Sequence, residues 1–250
     1  MSLRKSLATI ICCSLPLGAA CLHRAEAGVP KKDLIGYWMG NGNALDSSMT
    51  GNNGSFSGSY APGTRCHHFA FDLSTGQVTI PDIPAYSFYN YSGWTVGFWF
   101  NADPANIGTT NGFFLGQDDG SGFQNKWLIE YGYSVYQSGS TNSFVLHLND
   151  PQQLRLFLQS ETVPFPSGWN QLTVVWVKAQ GTVSFYLNGQ PIGTDSYTGT
   201  IPDPSADLIF GYAEPGLTYT GLLDNIVIYS RALTPTQVQN LAKPPHMCFP

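Results

Sequence analysis

An all-β fold, two packed antiparallel sheets with one short C-terminal helix, is what this sequence predicts, and three patterns predict it. Short runs of aromatic and β-branched residues recur between Gly, Asn, Asp and Pro from residue 34 to residue 229. One run alternates strictly, Phe144, Leu146 and Leu148 against Val145, His147 and Asn149, which predicts one face on the core and the other in water. Only residues 235–242 carry a helix signature.

In chain order, strands are predicted at 34–39, 68–71, 77–80, 94–100, 113–116, 126–131, 143–148, 154–159, 172–178, 182–187, 208–211 and 222–229. So many short strands at regular spacing call for two sheets face to face. Ala179, Gln180 and Gly181 supply one tight reversal, and Asn188-Gly189 supplies the positive backbone angles of a type I′ hairpin turn. The helix begins with Thr234 as N-cap, Pro235 at its first position and Gln237 closing a capping box. Val238 and Leu241 then share the face that meets the sandwich. Trp38, Trp94, Trp99, Trp169 and Trp176 are assigned to the core.

Arg4 and Lys5 precede an apolar stretch from residue 7 to residue 22, and Ala25, Glu26 and Ala27 follow as a small-x-small site. Residues 1–27 therefore read as an export signal peptide, with the mature chain beginning near Gly28 and the protein secreted, periplasmic or on the cell surface. A competing cut at Cys21, acylated as in a lipoprotein, stands beside it. No later segment approaches the ~20 apolar residues of a membrane span, so no transmembrane segment is expected. The leader removes Cys12, Cys13 and Cys21, which leaves Cys66 and Cys248. Two thiols in an exported chain suggest one disulfide tying the Pro-rich tail, 244–250, to the single domain at 28–243; two unpaired thiols are the alternative. Beyond the leader 15 acidic side chains outnumber 8 basic ones, a net charge of −7. That balance argues against nucleic acid and anionic membranes as partners.

Six stretches carry a family likeness: Leu34-Ile-Gly-Tyr-Trp-Met39 with the loop through Ser48 and Asn52-Asn-Gly-Ser55, His68-Phe-Ala-Phe71 followed by Asp72, Trp94-Thr-Val-Gly-Phe-Trp-Phe100, residues 169–177, Phe185-Tyr-Leu-Asn-Gly189, and the closing Gly221-Leu-Leu-Asp-Asn-Ile-Val-Ile-Tyr-Ser-Arg-Ala-Leu233. Together they resemble the laminin-G-like members of the concanavalin A-like lectin/glucanase group, as found in exported bacterial proteins. The resemblance implies a jelly-roll sandwich in a group that includes lectins, adhesive modules and glycanases; the Glu-x-Asp-x-x-Glu strand of its familiar glycanases has no counterpart here, so the expected role is non-catalytic binding of a polysaccharide or glycoprotein. It also implies a structural Ca²⁺ between the opening loop and the closing strand.

Candidate residues follow. Asp224 lies among Leu222, Leu223, Ile226, Val227 and Ile228, where an ionised carboxylate needs a partner. With no Lys or Arg in that strand, Ca²⁺ is the expected solution, ligated by Asp224 and Asp46 with Asn43 through its backbone; the alternative is that Asp46 caps a turn and Asp224 accepts backbone hydrogen bonds. Two tyrosine clusters, Tyr86, Tyr89 and Tyr91, then Tyr131, Tyr133 and Tyr136, are candidates for stacking on sugar faces; a role as loop cores stands beside this. Asp118 and Asp119 read as a solvated turn. Glycoside cleavage requires two opposed carboxylates, yet Glu130, Glu161 and Glu214 have no acidic neighbour within five residues, so no catalytic residue is assigned. His147 and Arg155 are a thin basis for a lyase. A protein-binding adhesive domain is the alternative to a lectin.

Overall fold

The computed structural model describes residues 29–64, 68–107, 112–119, 126–132, 142–150, 153–214 and 217–243. The signal peptide, Cys66 and Cys248, Tyr133 and Tyr136, and the tail from residue 244 all lie outside these residues, as does the side chain of Arg155.

The strands of the first half are β1 (Leu34–Trp38), β2 (Ser55–Phe56), β3 (Ser59–Pro62), β4 (Phe69–Asp72), β5 (Val78–Ile80), β6 (Gly93–Asn101), β7 (Phe113–Asp118) and β8 (Lys126–Tyr131). Those of the second half are β9 (Phe144–Asp150), β10 (Gln153–Gln159), β11 (Asn170–Val177), β12 (Thr182–Leu187), β13 (Gln190–Ser196), β14 (Leu208–Phe210), β15 (Tyr212–Glu214), β16 (Leu217–Thr218) and β17 (Leu222–Tyr229). One helix, α1 (Pro235–Leu241), follows.

The first sheet runs β13-β12-β11-β6-β17-β4-β3, with β1 also paired to β17, and the second runs β10-β9-β8-β7-β14-β5-β2. All pairings are antiparallel, and β15 with β16 forms a separate hairpin. Alternation on β6 and β8 turns Trp94, Val96, Phe98 and Phe100 toward Trp127, Ile129 and Tyr131. Trp94 and Trp127 meet edge to face at 5.2 Å across the gap between the sheets. Where β13 passes β10 the sandwich is stitched shut: the Glu161 amide donates to the Ile192 carbonyl (2.7 Å) and the Gln159 amide to an Asp195 carboxylate oxygen (3.1 Å).

The predicted capping box forms, with Thr234 Oγ1 accepting from the Gln237 amide and Gln237 Oε1 accepting from the Thr234 amide. It seats α1 on the outer face of the first sheet, where Val238 packs with Leu233, Val175 and Tyr229. The 178–181 reversal and the Asn188-Gly189 turn are also present, with Asn188 at φ 52° and Gly189 at φ 76°.

Four expectations need correction. Trp169 is half-buried just ahead of β11, although the other four assigned tryptophans are buried. Asp118 belongs to β7 and binds Lys126 Nζ at 2.6 Å in a buried ion pair, so it is not part of a solvated turn. The face of β9 bearing Val145, His147 and Asn149 is buried as well. The reason is cover from neighbouring side chains, since Phe157 of β10 stands opposite His147 in the same sheet. Ala213 of the β15–β16 hairpin packs on Phe113 and Leu128, and the Phe157 ring lies 4.5 Å from that of His147. Finally, β2, β3, β15 and β16 carry no strand pattern in the sequence; they are short, edge-forming or rich in Ser, Gly and Pro.

Candidate functional site

The two aspartates proposed as metal ligands are each satisfied by protein donors. Asp46 folds back onto β1: its Oδ1 accepts from the Tyr37 amide (2.9 Å) and the Ser48 amide (2.8 Å). Its Oδ2 accepts from Ser48 Oγ (2.8 Å), Thr50 Oγ1 (2.7 Å) and the Asn52 amide (3.0 Å). Burial alone would raise this carboxyl's pKa, but the hydroxyl and amide donors outweigh it and hold the group below its ordinary 3.8. Asn43 caps a local turn, accepting from the Leu45 amide at 3.0 Å.

Asp224 is buried on the outer face of the first sheet, where its Oδ2 accepts from the amide (2.8 Å) and hydroxyl (2.7 Å) of Thr64. A bulge with Asn225 at φ 51° resets the alternation of β17, so that Leu223 and Ile226 both reach the core while Asp224 does not. Gly63 lets the loop run this close, since a Cβ there would stand 2.9 Å from Asp224 Oδ2. Asn225 Nδ2 donates to Thr64 Oγ1, and the Tyr37 hydroxyl donates to Asn225 Oδ1. Burial, followed by the Asp224 charge, pushes the Tyr37 hydroxyl well above its ordinary range.

No described residue hydrogen-bonds to both carboxylates, and among the described residues no group of three His, Cys, Asp or Glu is placed to hold a metal. This set does not fit a Ca²⁺ ion bridging Asp46 and Asp224. Two predictions follow from the geometry. EDTA is expected to leave the melting temperature of the full chain unchanged; a calcium-restorable drop of several degrees would contradict this. Asp46→Ala is expected to cost about 2 kcal/mol, the scale of charge-assisted hydrogen bonds at a half-exposed site. Because the folded pKa is depressed, that difference is fully present above pH 3.8 and closes as pH falls through the lowered value, which denaturant titrations at several pH values will show.

The tyrosines divide sharply. Tyr86 is fully buried in the main core and Tyr131 is 5% exposed, its hydroxyl donating to the Val163 carbonyl at 2.8 Å. Neither presents a ring to a ligand. Tyr86 sits in a 3₁₀ turn that drops its ring beside Phe88, and Tyr131 ends β8 on the inward side, packed on Phe144 and Phe165. Tyr91 is half-buried, its hydroxyl donating to the Ala85 carbonyl. Tyr89, at 44% exposed, is the one of these four open to solvent.

The outer face of the second sheet holds what remains. At the β8–β9 end, His147 Nδ1 lies 3.4 Å from Glu130 Oε1 and Nε2 lies 3.1 Å from Asn149 Oδ1. The residues facing Glu130 and Lys126 on β7 are Phe113 and Asp118. Lys126 and Glu130 stand four residues apart on β8, ~13 Å by strand rise. Asp118, held at Lys126, is therefore too far from Glu130 for the ~5–9.5 Å separation of glycosidase carboxylates.

At the opposite end of the same face, beyond the β15–β16 hairpin, is an open groove of about 450 Å³. Residues flanking the inward Phe56 and Val78 form one wall: Ser55, Ser57, Gln77 and Thr79. Tyr212, Thr218 and Thr220 form the other, with Leu73 and the buried Tyr219 beneath. Gly211, at φ 91°, turns the chain out of β14 so that the hairpin can stand as a wall. The sequence pointed to none of these residues, because three of the strands that place them were not recognisable. The available signal was small, Ser-Phe-Ser and Gln-Val-Thr as matching polar-apolar-polar triplets.

Comparison with known proteins adds a family and a set of similar folds. Domain 4 of AbnA, a GH43 extracellular arabinanase from Geobacillus stearothermophilus solved with arabinotriose, superposes with a TM-score of 0.62 at 20% identity, covering 84% of this chain and 98% of that domain. The binding domain of Paraclostridial Mosquitocidal Protein 1 gives 0.63 at 16% identity, and that of Botulinum Neurotoxin DC, solved with SialylT, gives 0.61 at 13%. Each match covers 85% of this chain, which spans about half of each toxin domain, 52% and 51%. At these identities the likeness is one of fold. No curated protein sequence matches. A family model described as the concanavalin A-like lectin/glucanases superfamily matches residues 72–239, from the end of β4 into α1. The chain belongs to the concanavalin A-like lectin/glucanases superfamily.

Proposed function

We propose that this chain is a non-catalytic binding module for carbohydrate or a glycosylated surface, exported from the cell by way of residues 1–27. The observation that carries the reading is the groove between β2–β5 and β15–β16, lined by hydroxyl and amide side chains with no carboxylate among its described lining residues. Such groups hydrogen-bond to sugar hydroxyls, and no opposed acid pair of the kind that cuts a glycosidic bond stands among the described lining residues. Similar folds in domains solved with arabinotriose and with SialylT support a binding role. A glycan array probed with the full chain tests it: retention on a defined set of glycans without release of reducing sugar is expected. Release of reducing ends, or retention on none, would overturn it.

A second reading, adhesion to protein, is favoured by one observation. Leu45, Met49 and Phe69 are exposed at 54%, 90% and 48%. Leu45 and Met49 belong to the opening loop, and Asn41 of the same loop ties to Phe69 by accepting from its amide. Silence on the array together with saturable binding to a surface protein, lost in Met49→Ser with Phe69→Ser, would favour this reading.

A further inference from the structure

We infer that the groove selects an uncharged glycan, a neutral pentose or hexose oligosaccharide, and turns away sialylated and uronate-containing chains. This rests on the carbohydrate-binding reading and narrows it to one site and one ligand class.

Charge decides the class. Among the described residues, no Lys, Arg or His lines the groove. A bound carboxylate loses hydration and needs a cationic or multiple N–H partner to recover it, and the side chains here offer hydroxyls and one amide instead. The nearby charges are of the wrong sign. Asp72, at the end of β4, accepts from both the amide and the hydroxyl of Ser74 on the rim. Past Thr79, Asp82 lies within the fields of Asp203 and Asp207, and its amide donates to Asp207 Oδ1 at 3.1 Å. An acidic sugar would enter a field that repels it and find nothing to pair with.

Shape and open valences fit a neutral sugar. The volume falls within the ~300–1,000 Å³ of small-molecule sites. Within the described residues, Ser57 Oγ is engaged with the Gln77 backbone and Gln77 Nε2 with Thr79 Oγ1, which fixes one wall. Among the described residues, the hydroxyls of Ser55 and Thr220 hydrogen-bond to no protein group and are left to a ligand. Tyr212, half-buried at the hairpin's foot, is the groove's aromatic surface beside the buried Tyr219, suited to the C–H face of a sugar ring.

Isothermal titration calorimetry of the full chain tests this with arabinotriose and cellotriose as neutral probes, and sialyllactose and trigalacturonate as acidic ones. Binding of at least one neutral probe is expected, with affinity for both acidic probes at least tenfold weaker. Tyr212→Ala and Thr79→Val, each checked for an unchanged fold by circular dichroism, should each weaken the neutral probe about tenfold. Tighter binding of an acidic probe overturns the ligand class and leaves the carbohydrate-binding reading standing. Neutral binding untouched by both folded variants overturns the site. Failure on these four probes combined with retention on other glycans of the array overturns the inference alone, whereas silence on the array as well removes both.

Discussion

Replacing Trp38 with alanine is expected to destabilise the domain by about 5 kcal/mol, a large share of the ~5–15 kcal/mol that holds a typical domain folded. Trp38 is fully buried and meets Phe210 edge to face at 5.5 Å, so it joins β1 of the first sheet to β14 of the second. Truncation of such a ring costs ~3–5 kcal/mol through lost transfer energy and the cavity left behind. The indole Nε1 also donates to the Asn52 carbonyl at 3.0 Å, worth about 1 kcal/mol. Little can collapse into the gap, because the ring lies directly over Gly36, where any Cβ would collide with it. Chemical denaturation read by fluorescence and circular dichroism will measure the loss. A change below about 2 kcal/mol would show that the opening strand is not anchored as described.

Asp224→Ala is expected to cost about 3 kcal/mol for a different reason. The substitution leaves the Thr64 amide and hydroxyl buried without their acceptor, and an unsatisfied buried group costs ~1–3 kcal/mol. The bonds from Asn225 to Thr64 and from Tyr37 to Asn225 lose their terminus at the same time. Asp224→Asn retains one oxygen acceptor at nearly the same volume and should cost less than the alanine change. Since the carboxylate charge contributes to the raised Tyr37 pKa, both variants should lower that pKa, which tyrosine absorbance in alkaline titration will follow. Equal effects of the two variants on stability would mean that the side chain acts through packing alone.

These two residues also show how far the sequence reaches. Trp38 and the closing strand were recognisable because an apolar run, a cap and a turn dipeptide are local patterns, set by residues adjacent in the chain. The need of Asp224 for a partner was equally readable, since a carboxylate between apolar neighbours admits few solutions. Which partner it takes was not readable: Thr64 is 160 residues away, and a bulge at Asn225 decides which side of the sheet the carboxylate occupies. The tyrosines failed for a related reason. A cluster outside strict alternation is compatible with either a platform or a loop core, and the 3₁₀ turn of residues 84–86, which sends Tyr86 inward, leaves no periodic trace. The groove depended on three very short strands and on one glycine with a left-handed backbone, features with almost no signature in a single chain. Likewise β9, whose alternation reads as half-wet, is buried on both faces, because the Phe157 ring that covers His147 comes from the neighbouring strand β10.

The picture that results is of a sandwich whose carboxylates serve mainly to hold it together, with ligand recognition left to uncharged groups at one end of the second sheet. Asp46 gathers the opening loop, Asp224 the loop around Thr64, and Asp118 pairs with Lys126. Crystals of the full chain soaked with arabinotriose test this division of labour most directly. Density for the trisaccharide between Thr79 and Tyr212 is the predicted result; density instead at Tyr89, or over Glu130 and His147, would contradict it.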